Sequence, residues 1–565
     1  MNRFLLLAYG LAFGLLLTGC SQPTVNYDVL ITNAMIYDGT GSPGTLGSIA
    51  INQDTIAAVG DLRNATGSET IDARGMAVSP GFVNMLSWAT ESLIADPRGM
   101  SDLLQGVTLE VMGEGWSMGP LNEAMKKQMQ DDQGDIKFDV AWNTLGEYLQ
   151  YLQNRGISPN VASFVGATTL RIHEIGFEDR EPTPEELDRM KQMVRDAMEE
   201  GALGVGSSLI YAPAFYAKTD ELIELCKAAS PYGGRYITHM RSEGNKFEEA
   251  VDEVLTIAKE ANIGAEIYHL KAGGRSNWPK MDLVIAKIDS ARKAGIDVAA
   301  NMYNYIAGAT GLDASMPPWV QEGGYEAWAK RLQDPAIRMK VMEEMKTDAQ
   351  DWENLYYAAG DPGKVLLVGF KNDTLKKYTG KSVAEMAAIR HTSPEEVIMD
   401  LVIQDGSRVG TVYFLMSEEN VKKQLQLPYI TFGSDAEAPA TEGVFLKSST
   451  HPRAYGNFAR LLGKYVRDEH VIPLEDAIHK LTSMATERLK ITKRGKLTPG
   501  YYADVVLFNP ETIADHATFE EPHQYSTGVE YVWVNGQKVV ANGKHTGATP
   551  GRFVKGPGYK VVRAD

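Results

Sequence analysis

The spacing of hydrophobic positions changes character twice along the chain. The early runs "YDVLITNAMIYDGTG", "GSIAINQDTIAAVG" and "ETIDARGMAVSPG" are short, alternating and broken by Gly, Asp and Asn, the pattern of strands joined by tight turns. The same texture returns in "ADVVLFNP" and "VEYVWVNGQKVVANGKHTGA", where Asn-Gly between apolar runs marks a hairpin. Residues 27–80 and 491–565 are therefore expected to combine as a small β-sandwich. Between them, over 81–490, apolar runs alternate with amphipathic helical segments such as "PTPEELDRMKQMVRDAMEEG" and "NKFEEAVDEVLTIAKEANIG". That alternation predicts βα units and a parallel sheet. Eight runs qualify as strands: "MAVSPGFVNML", "VTLEVMGE", "VASFVGA", "ALGVGSSL", "RYITHMR", "GAEIYHLK", "DVAANMYNY" and "YITFGSD". Eight closes a (β/α)8 barrel, so the fold class is α/β, a TIM-like barrel carrying the terminal sandwich. Between the seventh and eighth runs lies an excursion, 317–423, rich in charged helical patterns. Its length exceeds that of a simple loop and predicts an inserted subdomain.

Bulk composition adds little to this picture. A length of 565 residues implies more than one core. A net charge of −17 argues against nucleic-acid binding, which needs clustered Lys and Arg. The opening "MNRFLLLAYGLAFGLLLTGC" is more informative. One early Arg, an apolar run and small residues before Cys20 have the layout of an export signal over 1–20. The "LLTGC" stretch resembles a bacterial lipobox, which implies lipidation at Cys20. Ser21 implies, by the same analogy, the periplasmic face of the outer membrane, with membrane contact through the anchor alone. Cys226 is then the single remaining thiol, so no internal disulfide is expected, and its apolar surroundings suit a small core residue.

Candidate chemistry collects where apolar runs end, which in a barrel is the carboxyl face of the sheet. His239 closes the fifth run and His269 the sixth, placing two imidazoles on neighbouring strands at one rim, where neutral imidazole can ligate zinc. A lone His there would read as a hydrogen-bonded core residue. Asp435 ends the eighth run, as a proton carrier for a metal-activated water or as a helix N-cap. Glu114, between Gly113 and Gly115 after the second run, reads as a third ligand or as a surface turn. Lys271 shares a strand side with His269. Together with Arg453, Tyr211, Tyr303 and Tyr305 it forms a rim of donors suited to a substrate carboxylate.

With these residues in view, the chain resembles the D-aminoacylase (N-acyl-D-amino-acid deacylase) branch of the metal-dependent amidohydrolases. The likeness rests on ten segments in order: "VLITNAMIYDGTG", "SPGFVN", "QGVTLEVMGEG", "GALGVGSSLIYAP", "YGGRYITHMRSEG", "YHLKAGG", "GSDAEAP", "HPRAYGNFARLLGKYVR", "YYADVVLFNP" and "ATFEEPHQYSTGVEYVWVNGQ". The resemblance implies an enzyme that hydrolyses a carbon–nitrogen bond other than a peptide bond in a small N-acyl amino acid. It also implies His239 and His269 as zinc ligands, Asp435 as the catalytic acid, and Lys271, Arg453, Tyr211 and Tyr303 as carboxylate holders. Two departures stand out. The family's His-x-His slots hold Leu86 and Trp88, and Gly115 stands roughly where a bridging Cys occurs. These imply one zinc ion, held by His239, His269 and Glu114. A cyclic-amide or D-dipeptide hydrolase, or a ligand-binding lipoprotein on the same scaffold, remains open at this point.

Overall fold

The computed structural model describes residues 25–560. The segment 1–20, with Cys20, lies outside the described residues. Among those described, no helix is long and apolar enough to cross a membrane. Cys226 is fully buried, and burial pushes its thiol far above the usual range.

Eight parallel strands line the barrel. The first, Phe82–Asn84, pairs with Val107–Met112, which pairs with Asn160–Ser163. That third strand breaks at Phe164 and resumes as Val165–Gly166, which pairs with Gly204–Ser208. Arg235–His239, Gly264–Ile267, Val298–Met302 and Ile430–Phe432 follow in order. The circle closes where the amide of Met85 donates to Phe432 O (2.9 Å) and that of Asp435 to Leu86 O (2.9 Å). The strands are buried on both faces, as the near-continuous Val, Ile and Ala runs require.

The run "MAVSPGFVNML", expected as one barrel strand, divides between two sheets. Ala77–Pro80 belongs to the terminal sheet and Phe82–Asn84 to the barrel. The changeover falls at Gly81, where a Cβ would approach Thr108 Oγ1 to 2.0 Å. Pro80 just before it has no N–H to extend a ladder.

Helices form where periodicity and caps coincide. Pro184–Glu200 starts at Thr183 with a reciprocal capping box to Glu186, and Gly201 in the left-handed region follows its end. Its buried face is Met190, Val194, Ala197 and Met198. Phe247–Glu260 buries Phe247, Val251, Val254 and Ala258 in the same way.

Both terminal regions enter one nine-stranded sheet. Asn26–Ile36 is its hub, antiparallel to Thr45–Asn52 and parallel to Thr66–Asp72 and Ala77–Pro80. Val505–Phe508 pairs antiparallel with Ala77–Pro80, and Val529–Val534 and Gln537–Ala541 extend the sheet. Ile31, Ile49, Ile51, Val78, Val505, Leu507 and Trp533 share its apolar core. Past the sheet the chain crosses the barrel floor. Val161 N donates to Arg552 O (3.0 Å), and Val554 N donates back to Val161 O (2.8 Å).

The excursion after the seventh strand has its own sheet, with Gly410–Phe414 between Ala307–Gly311 and Val365–Gly369. Its first strand, Ala307–Gly311, follows the barrel strand Val298–Met302 after four residues. The helices Tyr325–Arg331, Pro335–Met345, Leu355–Ala359, Val383–Arg390 and Pro394–Asp405 lie between its first and last strands.

Candidate active site

The fifth barrel strand ends on His239, and His269 stands two residues past the sixth. His269 has a φ of 34°, sparsely populated for a non-glycine residue, and its amide is held by Asn301 Oδ1 at 2.8 Å. That turn brings the two rings to a centroid separation of 4.5 Å, nearly perpendicular. Glu114 sits between Gly113 (φ 105°) and Gly115 (φ 73°), conformations that glycine adopts without a Cβ clash. The bend aims its carboxylate inward. Oε1 lies 2.8 Å from His269 Nε2 and 3.2 Å from His239 Nδ1. All three residues are at least 95% buried. Each offers a donor atom within 4.8 Å of the others. Gly115 itself contributes no side chain to this cluster; the acid before it does.

The electrostatics of the cluster favour a cation. Burial raises the Glu114 pKa, but the two imidazoles, His269 foremost, outweigh it and hold the carboxyl far below its ordinary value. Burial and Lys271 push His269 down, yet Glu243 and Glu114 dominate and raise it to about 9 without a metal. A divalent ion would supply the positive charge these acids select for. His239 is depressed, chiefly by burial, toward the neutral ring that binds metals. Its Nε2 is buried with no hydrogen-bond partner among the described residues. The nitrogens that face Glu114 Oε1 are His239 Nδ1 and His269 Nε2, so two imidazoles and one carboxylate converge on a single point as a catalytic zinc requires. The residues present fit a metal.

Asp435 follows the eighth strand in another left-handed conformation, φ 49°. Arg453 NH2 contacts its Oδ2 at 2.8 Å, and Trp88 Nε1 donates to Oδ1 at 3.2 Å. Burial raises its pKa, and Arg453 opposes the rise. The same Trp88 N–H also reaches Glu114 Oε2 at 3.0 Å. Arg453 opens the helix Arg453–Arg460, with its amide donating to His451 Nδ1 at 3.0 Å. Its guanidinium lies 4.4 Å from the Tyr303 ring centre, and its Nε and NH1 have no partner among the described residues. Lys271 Nζ sits 2.7 Å from both Glu243 Oε1 and His269 Nδ1. Tyr211 packs edge-on to His239 at 5.3 Å.

Eight of the candidate site residues named from the sequence, Glu114, Tyr211, His239, His269, Lys271, Tyr303, Asp435 and Arg453, thus line one cavity of about 750 Å³. Tyr305 does not join them: its hydroxyl turns away to Asp515 Oδ2 at 3.2 Å. The sequence also gave no role to Glu243, buried against Lys271 and His269 (2.9 Å) and held at about 2 because those cations and His239 outweigh burial. Its position four residues after His239, in "HMRSEG", is the signal that was available. Arg408, which reaches the cavity from the inserted subdomain and lies 4.9 Å from the Tyr211 ring centre, had none.

Two imidazoles and buried carboxylates at the carboxyl mouth of a (β/α)8 barrel make up the active-site frame of a metal-dependent hydrolase. Comparison with known proteins agrees: the chain belongs to the amidohydrolase family, whose pattern matches residues 69–540. It is 31% identical to a D-aminoacylase of Alcaligenes xylosoxydans xylosoxydans, over 94% of this chain and 98% of that one. A solved D-aminoacylase, described with a binuclear metal centre showing one-metal activation and second-metal attenuation, superposes with a TM-score of 0.77. Identity to it is 31%, over 94% of this chain and 100% of that one. The N-acyl-D-glutamate deacylase of Bordetella bronchiseptica, complexed with zinc and a phosphonate mimic of the tetrahedral intermediate, gives 0.76 at 27% identity with the same coverage.

Proposed function

We propose that this protein is an N-acyl-D-amino-acid deacylase working with one zinc ion held by Glu114, His239 and His269. The observation that carries the reading is the meeting of those three donors with Asp435 and the Lys271–Arg453–Tyr303 group in one cavity. The relatives' activities on N-acyl-D-amino acids support the substrate class. When bound, the ion would polarise the amide carbonyl and acidify water. The protein's own groups account for binding and proton movement. Arg453, through its free Nε and NH1, and Lys271 hold the substrate α-carboxylate, with Tyr303 beneath the guanidinium and Tyr211 across the cavity. Asp435 takes a proton from water as its oxygen bonds to the acyl carbon. It returns that proton to the amide nitrogen as the C–N bond breaks, releasing a carboxylate and a D-amino acid.

The test is metal analysis of purified protein together with hydrolysis of paired N-acetyl-D- and N-acetyl-L-amino acids. One zinc per chain and D-selective turnover are expected, with activity lost in His239→Ala and Asp435→Ala. Metal-free protein without turnover on any acyl substrate would defeat the reading.

We also propose that Cys20 carries a lipid anchor at the bacterial envelope, on the strength of the 1–20 pattern. Radiolabelled fatty acid should enter the wild type and not Cys20→Ala; equal labelling of both would refute it.

A further inference from the structure

We infer that Trp88 is a positioning residue: its indole N–H stands between Glu114 and Asp435 in place of a second cation and fixes the orientation of the proton carrier. The inference rests on the deacylase reading for the role of Asp435. Its own observation is a single donor shared by oxygens of two carboxylates, at 3.0 and 3.2 Å. Two carboxylates facing each other repel, and a positive dipole between them relieves that repulsion. The indole supplies it. Being donor-only, it offers no lone pair to a metal.

The backbone makes this placement firm. Beyond the first strand the chain stays zipped to the segment after the eighth. Asp435 N donates to Leu86 O and Trp88 N to Ala436 O, each at 2.9 Å, and Ser87 pairs with Ala436. Trp88 and Asp435 are thus locked in register. Leu86 turns into an apolar cluster with Val83, Met85, Leu109 and Val111 and offers nothing to an ion. Arg453 holds Asp435 Oδ2 and Trp88 holds Oδ1. Substrate binding recruits Arg453, so Trp88 is the partner of Asp435 that the substrate does not compete for.

Trp88→Phe keeps an aromatic wall and deletes the N–H; Leu86→His/Trp88→His restores two imidazoles. Three readouts are taken on zinc-loaded full-length protein: bound zinc per chain, kcat and KM on an N-acetyl-D-amino acid, and the change in tryptophan emission on adding zinc to stripped protein. The expected result for Trp88→Phe is one zinc, kcat lower by about 10–100-fold as for other groups that orient a metal-site residue, and KM within about threefold. The emission change seen in the wild type should be lost. The double variant should bind a second equivalent. An unchanged kcat in Trp88→Phe, a second zinc in the wild type, or a KM that rises in step with the fall in kcat would each overturn the inference. If the wild type hydrolyses no acyl-amino acid, the deacylase reading fails. The zinc counts and the emission change then still decide whether Trp88 excludes a second ion.

Discussion

Arg453, the carboxylate holder of the proposed function, is also half of a structural ion pair. Its side chain is 3% exposed and that of Asp435 11%, so their 2.8 Å pair is nearly dry. Removing one member of such a pair leaves an unmatched charge and costs about 3 kcal/mol. Arg453→Ala should therefore lower unfolding free energy by that amount in urea titration and raise KM by at least about tenfold. Arg453→Lys should recover stability better than KM, because a point charge cannot present the fork that a carboxylate accepts. His239, His269, Glu114 and Asp435 were legible in the sequence because each interrupts or ends an apolar run, which gives it an address at the barrel mouth. Glu243 and Arg408 lie in a loop and in the inserted subdomain, where periodicity assigns no address. Only folding brings them to the cavity.

Among the elements, the inserted subdomain reaches the site through the loop before the helix Leu355–Ala359. Glu353 in that loop accepts from Ser242 Oγ (2.8 Å) and from the Glu243 amide (3.1 Å). Burial and the neighbouring Glu243 carboxylate push it from 4.5 to about 7, against the opposing pull of those donors and Lys271. The folded state therefore holds this proton more tightly than the unfolded chain. The resulting stability is complete below pH 4.5 and disappears as pH rises through about 7. Glu353→Gln keeps an acceptor and removes the titration. Its stability, measured by chemical unfolding between pH 5 and pH 8 (roughly either side of the shifted value), should fall less than that of the wild type, by about 2 kcal/mol. The helices could be located from sequence because caps and period agree, as at Thr183. The division at Gly81 could not, since both halves of that run are equally apolar and the choice of sheet depends on Thr108 and Val505–Phe508, remote in sequence.

Across the whole molecule, the segment after Thr549 closes the barrel floor. Gly551 and Gly556 amides donate to Ile157 O and Gly201 O, and Phe553 and Val554 are buried. A chain ending at Thr549 loses two apolar side chains' burial at about 1.5–3 kcal/mol each. It should unfold at a lower temperature in calorimetry. Its kcat/KM at low temperature should remain near that of the full chain, because the candidate site lies at the opposite mouth.

The pairing of Ala77–Pro80 with Val505–Phe508 has a consequence in time. On the ribosome, the first of these emerges hundreds of residues before the second, a wait on the order of half a minute at ordinary elongation rates. Through that interval one flank of the early strands is bare backbone, ready to join any other extended segment. The nascent chain needs either a holdase or rapid passage to completion, and slowing its translation should increase aggregation more than slowing its refolding does.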